Sequence, residues 1–419
     1  VTTTFWSEIA ELSAAVLAQR LTDAEAIAMT EAYGAHNYKP LAVNLVRADG
    51  ARAWDGAGKE FIDCIGAYSA VAHGHISPVV ARAATDQLQR LAVASRAVYT
   101  SEVALFMKGL AEYAGLDMVC PMNTGAEAVE TCIKLARKWA YTVKGVPDGK
   151  AEIVVAEGNF HGRTTTIVGF STEPGYRSGF GPFTPGFTLV PFGDLEAIAA
   201  ALTPDTAAVM LEPIQAEGGV IVPPEGYMAG LRKLCSEHNV LLVWDEVQTG
   251  FCRTGRRFAW QWEDAKPDLM AVGKPLGGGI LPVSAAVGKR EVLEVFQPGD
   301  HGSTFGGNPL GAVVALTAMA EMEVNDFAGR AERLGSRMAD ALQALGSPKV
   351  DEVRWRGLLF GVEIAADVDT KALAAAFLEQ GLLTKETRSR TFRLSPPITI
   401  DEGTLDEAVR RFGAALASV

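Results

Sequence analysis

Short apolar runs, each closed by a polar residue or a glycine, recur through the middle of this chain. Val240 to Trp244 is stopped by Asp245, and Leu269 to Val272 by Gly273-Lys274. Runs of this length rich in Val and Leu read as strands buried on both faces, as in a parallel sheet. Glu152 to Ala156 and the stretch from Ala207 to Glu212 predict two more. Residues 116–145 read as a short strand, a turn and a helix whose buried stripe is Val129, Cys132/Ile133, Ala136 and Trp139/Ala140. Tyr227 to Glu237 reads as another helix. This alternation predicts an α/β fold, a mostly parallel central sheet with helices on both faces.

The two ends differ from the middle. Residues 1–34 read as helical up to Gly34, followed by strands around Val43–Val46, Ala51–Trp54 and Phe61–Ile65 with Asp-Gly turn signals between them. Beyond Ala315 the pattern predicts one long helix through Glu321 and Arg333, a strand Val353–Ile364, a helix near Lys371–Gln380 and a strand Thr391–Leu394. A last helix is expected to open with Thr404-x-x-Glu407 as a capping box. The expected organisation is a large α/β domain, 56–315, and a smaller α+β domain made from 1–55 and 316–419.

Chemistry enters at the strand ends. Asp245 and Lys274 each sit where a strand gives out, the edge at which open α/β sheets bind ligands. An acid and a lysine there suit pyridoxal phosphate, the lysine forming a Schiff base and the acid pairing with the pyridinium nitrogen. Taken alone, an ordinary turn Asp and a solvated Lys explain the pair equally well. Asn123-Thr124-Gly125 lies at a strand-to-helix turn, where capping oxygens, a permissive glycine and free amides make an anion cup or simply a helix cap. With no GxGxxG and no GxxxxGK[ST], a phosphate monoester fits better than a nucleotide. Phe160 offers a face for stacking, and Arg163 a fork for a carboxylate. Tyr38 and Tyr68 lie in polar or Gly-rich stretches, Glu217 in a Gly-rich loop, Thr304 in HGSTFGGNPLG and Arg393 in the last strand. By pattern alone the tyrosines read as structural and Arg393 as a surface ion-pair partner.

Composition narrows the classes. A net charge of -12 over 419 residues argues against nucleic acid and anionic membranes as partners. No apolar run approaches the roughly 18 residues of a membrane span. The five cysteines are scattered without a CxxC pair, which fits reduced thiols and a cytoplasmic setting. The first basic residue is Arg20, so the start resembles neither a secretory signal nor a transit peptide. His73-Gly-His75 is too little for a metal site, and none is expected.

Together the motifs NYKPLAV, GAYSAVAHGH, NTGAEAVET, GNFHGRT, EPIQAEGG, DEVQTGFCRTGR, GKPLGGGILPVSA, HGSTFGGNPLG and FRLSPPI resemble the class III, fold-type I aminotransferases over nearly the whole chain. The resemblance implies pyridoxal 5'-phosphate as cofactor and a homodimer with shared active sites, leaving a larger assembly open. By it, Lys274 is the Schiff-base lysine and proton shuttle, Asp245 the partner of the pyridine nitrogen and Gln248 that of the ring's 3-oxygen. Phe160 stacks on the ring, Gly125 and Ala126 offer amides to the phosphate, and Thr304 reaches the phosphate of the neighbouring subunit.

Within the class, the substrate positions are most similar to those of the ornithine branch. Tyr38 and Arg163 match the residues that hold the donor's α-amino acid end. Tyr68 matches a tyrosine replaced by an aliphatic residue in γ-aminobutyrate and acetylornithine relatives. Glu217 and Arg393 match an ion pair that closes for ornithine and opens for 2-oxoglutarate. The expected activity is δ-transamination of ornithine, with N-acetylornithine or another ω-amine as alternative. One departure is His161, where animal ornithine enzymes commonly carry tryptophan and acetylornithine relatives also read FHGR. Outside this family, the missing GxGxxG speaks against a nicotinamide dehydrogenase, and the presence of Lys274, Asp245 and Arg163 against an inactive binding protein.

Overall fold

Three sheets organise the computed structural model, which describes residues 21–388 and 390–419. Near the N-terminus, β1 (Leu45–Asp49), β2 (Arg52–Asp55) and β3 (Glu60–Asp63) form an antiparallel meander. The central sheet holds β4 (Met118–Met122), β5 (Glu152–Ala156), β6 (Phe187–Val190), β7 (Thr206–Leu211), β8 (Leu241–Asp245), β9 (Leu269–Val272) and β10 (Ser284–Gly288). Its order is β4-β10-β9-β8-β7-β5-β6, and only β10 runs against its neighbours. The C-terminal part contributes β11 (Val350–Arg356), β12 (Leu359–Ile364), β13 (Leu382–Leu383), β14 (Lys385–Thr387) and β15 (Thr391–Leu394). Four of these make an antiparallel sheet, β11-β12-β15-β14, while β13 joins the N-terminal meander in parallel with β3.

The all-apolar strands work as the sequence demands. Side chains alternate across a strand, so Val209, Leu211, Leu242, Trp244, Met270 and Val272 enter one core. Their neighbours Ala208, Met210, Leu241, Val243, Leu269 and Ala271 enter the other, under the helix Gly125–Trp139. That helix buries the stripe its spacing predicts and starts at Thr124, whose hydroxyl accepts from the Glu127 amide. Among the described residues no helix is long and apolar enough to cross a membrane.

At the N-terminus, the helix is Asp23–Tyr33, capped by Thr22. The expected helix over residues 1–20 lies outside the described residues. Three C-terminal expectations need correction. The strand predicted over Val353–Ile364 is a hairpin, β11 and β12, reversing at Gly357, whose φ is 56°. The single long helix is two, Pro309–Val324 and Phe327–Ala344. Asp326 turns left-handed between them (φ 46°) and caps the second through Gly329 N. The last helix, Glu402–Ser418, is capped by Asp401. Thr404 sits in its first turn, donating its amide and hydroxyl to Asp401 (2.9 and 2.6 Å), and Glu407 pairs with Arg52 and Arg411 instead of closing a box. In the first two cases an apolar pattern continued across a break that the backbone uses; in the third an acid three residues earlier took the cap.

The ends of the chain are stitched together. Cys64 N donates to Leu383 O (2.9 Å), Ser395 N to Cys64 O (2.7 Å) and Ser395 Oγ to Ile65 O (2.9 Å).

Candidate active site

The carboxyl ends of the parallel strands converge on two joined cavities. The inner one, about 190 Å³, is bounded by Gly125, Ala126, Phe160, His161, Glu212, Asp245, Val247, Gln248 and Lys274. The outer one, about 420 Å³, takes Tyr38, Tyr68, Arg163, Tyr176, Glu217 and the loop through Arg388. Phe160 and Lys274 line both.

Each inner side chain is set by the element that ends there. Asp245 terminates β8 and is buried; its Oδ1 accepts from Val247 N (3.0 Å) and its Oδ2 faces His161 Nδ1 (2.7 Å). Lys274 follows β9 in a left-handed conformation (φ 44°), and its Nζ donates to Gln248 Oε1 at 2.6 Å. Burial pushes its ammonium down to about 8; Glu217 opposes that shift and Arg393 adds to it. Glu212, just after β7, accepts from Phe160 N (3.0 Å) and so fixes the Phe160 backbone at the cavity wall. Burial raises the Glu212 carboxyl to about 7, with the charge of His161 opposing and that of Asp245 adding.

The helix N-terminus forms the far wall. Glu127 caps the amides of Asn123 and Thr124 (3.1 and 2.7 Å), leaving those of Gly125 and Ala126 without a partner among the described residues. A Cβ at Gly125 would meet Val247 Cγ1 at 2.7 Å, so the close approach of helix and loop needs glycine there.

The outer cavity is lined with charge. Glu217 is ion-paired with Arg393, and Gln248 Nε2 approaches the same carboxylate oxygen at 3.5 Å. Burial would raise the Glu217 carboxyl, but Arg393 and then Lys274 outweigh it and hold it below the usual range. Arg393 lies 5.3 Å from the centre of the Tyr68 ring. Tyr68 is presented by a left-handed turn, Gly66 to Ser69, with φ between 54° and 75° except at Ala67 (46°). Left-handed backbone costs a non-glycine residue about 1–2 kcal/mol, so this turn stores strain beside the cavity. Gly66 is required in it, since a Cβ would meet Ser395 O at 2.6 Å. Arg163 rests 4.1 Å from the Tyr176 ring centre with no carboxylate partner among the described residues. Tyr38 is largely exposed at the rim. Across the mouth, Arg388 donates to Glu173 Oε2 (2.7 Å) and Gly158 O (3.1 Å).

Of the residues singled out from sequence, all but Thr304 line these cavities or, for Arg393, pair with a residue that does. Thr304 lies exposed on a loop and lines neither, although the preceding Ser303 accepts from Asn123 Nδ2 (2.9 Å) at the start of the cavity's helix. Sequence reasoning gave no role to Glu173, Tyr176 or Arg388, nor to the contact between His161 and Asp245. Nothing local marks them, because each acquires its partner only through the fold. His73 and His75 are absorbed structurally, His73 Nε2 against Ala318 O (3.0 Å) and His75 Nε2 against Asp63 Oδ2 (2.9 Å).

Comparison with known proteins places this geometry. The family profile "Aminotransferase class-III" matches residues 33–416. The chain is 46% identical over 390 residues to a protein of Brevibacillus brevis named ornithine aminotransferase, covering 93% of this chain and 97% of that one. Bacillus subtilis ornithine aminotransferase is 45% identical over 387 residues, 92% of this chain and 96% of its own length. The crystal structure of ornithine aminotransferase from Toxoplasma gondii superposes with a TM-score of 0.94 at 38% identity, covering 100% and 99% of the two chains. Acetylornithine aminotransferase from Elizabethkingia anophelis gives 0.86, also at 38% identity, covering 95% and 100%. This chain belongs to the class III aminotransferases, enzymes that work with pyridoxal phosphate.

Proposed function

We propose that the enzyme moves the δ-amino group of ornithine to 2-oxoglutarate, yielding glutamate-5-semialdehyde, which cyclises to pyrroline-5-carboxylate, and glutamate. The observation that carries this reading is the Glu217–Arg393 pair, set under Tyr68 at the edge of the cavity into which Lys274 opens. One site has to accept a distal amine in one half-reaction and an α-keto acid in the other. A cation that is neutralised for the first and released for the second meets that demand.

The inner cavity suits the cofactor. Two amides without a partner among the described residues, those of Gly125 and Ala126, stand at the positive end of a helix and fit a phosphate. A buried acid, Asp245, lines the same cavity, and Phe160 contributes to its wall. When bound, pyridoxal phosphate supplies a carbonyl that captures amines and a ring that takes up electrons. In this reading Asp245 keeps the ring nitrogen protonated and Gln248 holds the 3-oxygen. Lys274 would anchor the cofactor and would serve as the base that takes the proton from the donor's δ-carbon. Its lowered basicity leaves about a tenth of it neutral at pH 7, against well under about a hundredth for an ordinary lysine, which favours a group that attacks and then shuttles. Arg163 and Tyr38 hold the α-carboxylate end of ornithine, and Tyr68 sets the distance to it.

The same proposal includes a homodimer in which Thr304 serves the partner's cofactor phosphate. Its support is a pair of neighbouring segments that leave apolar side chains exposed, Val93, Val98 and Tyr99 on one and Phe305, next to Thr304, on the other. The two segments are joined there by Leu310 N donating to Ala92 O (3.1 Å). Apolar side chains grouped in this way mark a surface that a second copy covers. The division into a large unit (56–315) and a small one (1–55 with 316–419) has partial support in the sheets: β4 to β10 fall within the first and β11, β12, β14 and β15 within the second, whereas β3 (60–63), just before the turn that carries Tyr68, pairs with β13 of the small unit. A cytoplasmic setting is supported by five free cysteines, four of them buried.

His161 favours a second reading, N-acetylornithine as donor, since acetylornithine relatives read FHGR. A donor screen with 2-oxoglutarate decides between them: ornithine, N-acetylornithine, lysine and γ-aminobutyrate, with o-aminobenzaldehyde trapping the cyclic imine. Preference for ornithine is expected; preference for N-acetylornithine would replace the substrate assignment and leave the cofactor's intact.

A further inference from the structure

Asp245 is gripped from two sides, and the second grip is unassigned. The His161 side chain has no exposed surface, and its Nδ1 lies 2.7 Å from Asp245 Oδ2 while Val247 N donates to Oδ1. Nε2 has no partner among the described residues, so Nδ1 is the atom through which this ring acts. The placement is not accidental to the backbone. Glu212 fixes Phe160 N, which puts the Phe160 side chain on the cavity wall and sends the next one, His161, behind the Asp245 carboxylate.

Resting on the reading of Asp245 as partner of the cofactor's ring nitrogen, we infer that His161 is a positioning residue whose Nδ1–H fixes the Asp245 carboxylate for that contact. With one donor on each oxygen, the carboxylate cannot rotate, and lone pairs remain on it for the ligand. The donor also answers a local electrostatic problem. Glu212 and Asp245 are two buried acids that repel each other, and His161, bonded to Asp245, lies within electrostatic reach of both, as Lys274 does. His161 itself is raised in basicity: burial opposes, but the bond and charge of Asp245, with Glu212 adding, outweigh it.

Three variants test this: His161→Asn, whose amide can donate from the Nδ1 position, His161→Gln, whose amide reaches the Nε2 position, and His161→Leu. The readouts are the dissociation constant for pyridoxal phosphate added back to apo-enzyme, and the pH at which the bound cofactor's visible absorbance titrates. Leu and Gln are expected to weaken cofactor binding by about 10-fold or more and to shift that titration, and Asn to restore most of both, the loss of one charge-assisted hydrogen bond being of that size. An Asn variant no better than Leu, or a Leu variant that matches the parent, overturns the inference. Should the Leu protein fail to fold, the Asn and Gln pair decides by the same criterion. Asp245→Asn separates the layers: if it leaves cofactor binding unchanged, the reading of Asp245 itself falls. If it weakens binding while the His161 variants stay silent, only the role of His161 does.

Discussion

Glu217 and Arg393, 176 positions apart in sequence, share one ion pair with both side chains largely withdrawn from solvent. Removing one partner of such a pair leaves the other charge uncompensated, which is far more costly than losing an exposed pair. Glu217→Gln is therefore expected to free Arg393 for carboxylates. The ornithine half-reaction should slow by at least about 10-fold, the worth of one misplaced charged contact, while the glutamate half-reaction is spared or improved. Stopped-flow absorbance of each half-reaction reads this directly. Equal losses in both would mean the pair is only structural.

The Tyr68 ring faces that same cation. Tyr68→Ile should move donor preference from ornithine toward γ-aminobutyrate, measured as the ratio of kcat/KM values. An unchanged ratio would count against a selective role for the tyrosine.

For Lys274, burial sets the pH range. Its neutral form grows as pH rises through about 8, so the rate at which apo-enzyme takes up pyridoxal phosphate covalently should climb with pH and level off above that value. Lys274→Ala should show no such limb, retain no cofactor on the chain after borohydride reduction, and lose activity by at least about 10²-fold.

Gly125 is a packing prediction. A methyl there collides with Val247, so Gly125→Ala should destabilise the protein by about 1–3 kcal/mol and weaken cofactor binding. Adding Val247→Ala removes the obstacle, and the double variant should recover stability in a thermodynamic cycle. Simple additivity of the two losses would refute the steric account.

Glu212 gives a stability slope. Its folded-state proton affinity, near 7, exceeds the unfolded value of 4.5, so the stabilisation is complete below the lower value and lost as pH rises through the higher. Glu212→Gln cannot ionise and keeps a carbonyl for Phe160 N. Its melting temperature should overtake that of the parent between pH 5 and pH 8. Parallel curves for the two proteins would show that Glu212 does not titrate there.

Much of this was legible before the fold was known. Asp245 and Lys274 stood out because Val/Leu-rich runs end at or just before them, and Thr124 because a capping oxygen ahead of a helical stripe is local chemistry. What was not legible depends on distance. His161 and Asp245 are 84 residues apart, and Arg388 and Glu173 are 215. No period in the chain couples such positions. The C-terminal corrections share a different cause: at Gly357 and Asp326 a single left-handed residue reverses or breaks an element whose hydrophobic pattern runs on.

The stitching of Ser395 to Cys64 and Ile65 has a mechanical consequence. It ties the strand that carries Arg393 to the turn that carries Tyr68 within two or three residues of each, while Lys274 and Asp245 hang from the central sheet. The two recognition groups thus ride on one jaw and the two reactive groups on the other. Any hinge motion between them changes the bite on the donor's far end but leaves the spacing of Tyr68 and Arg393 as it was.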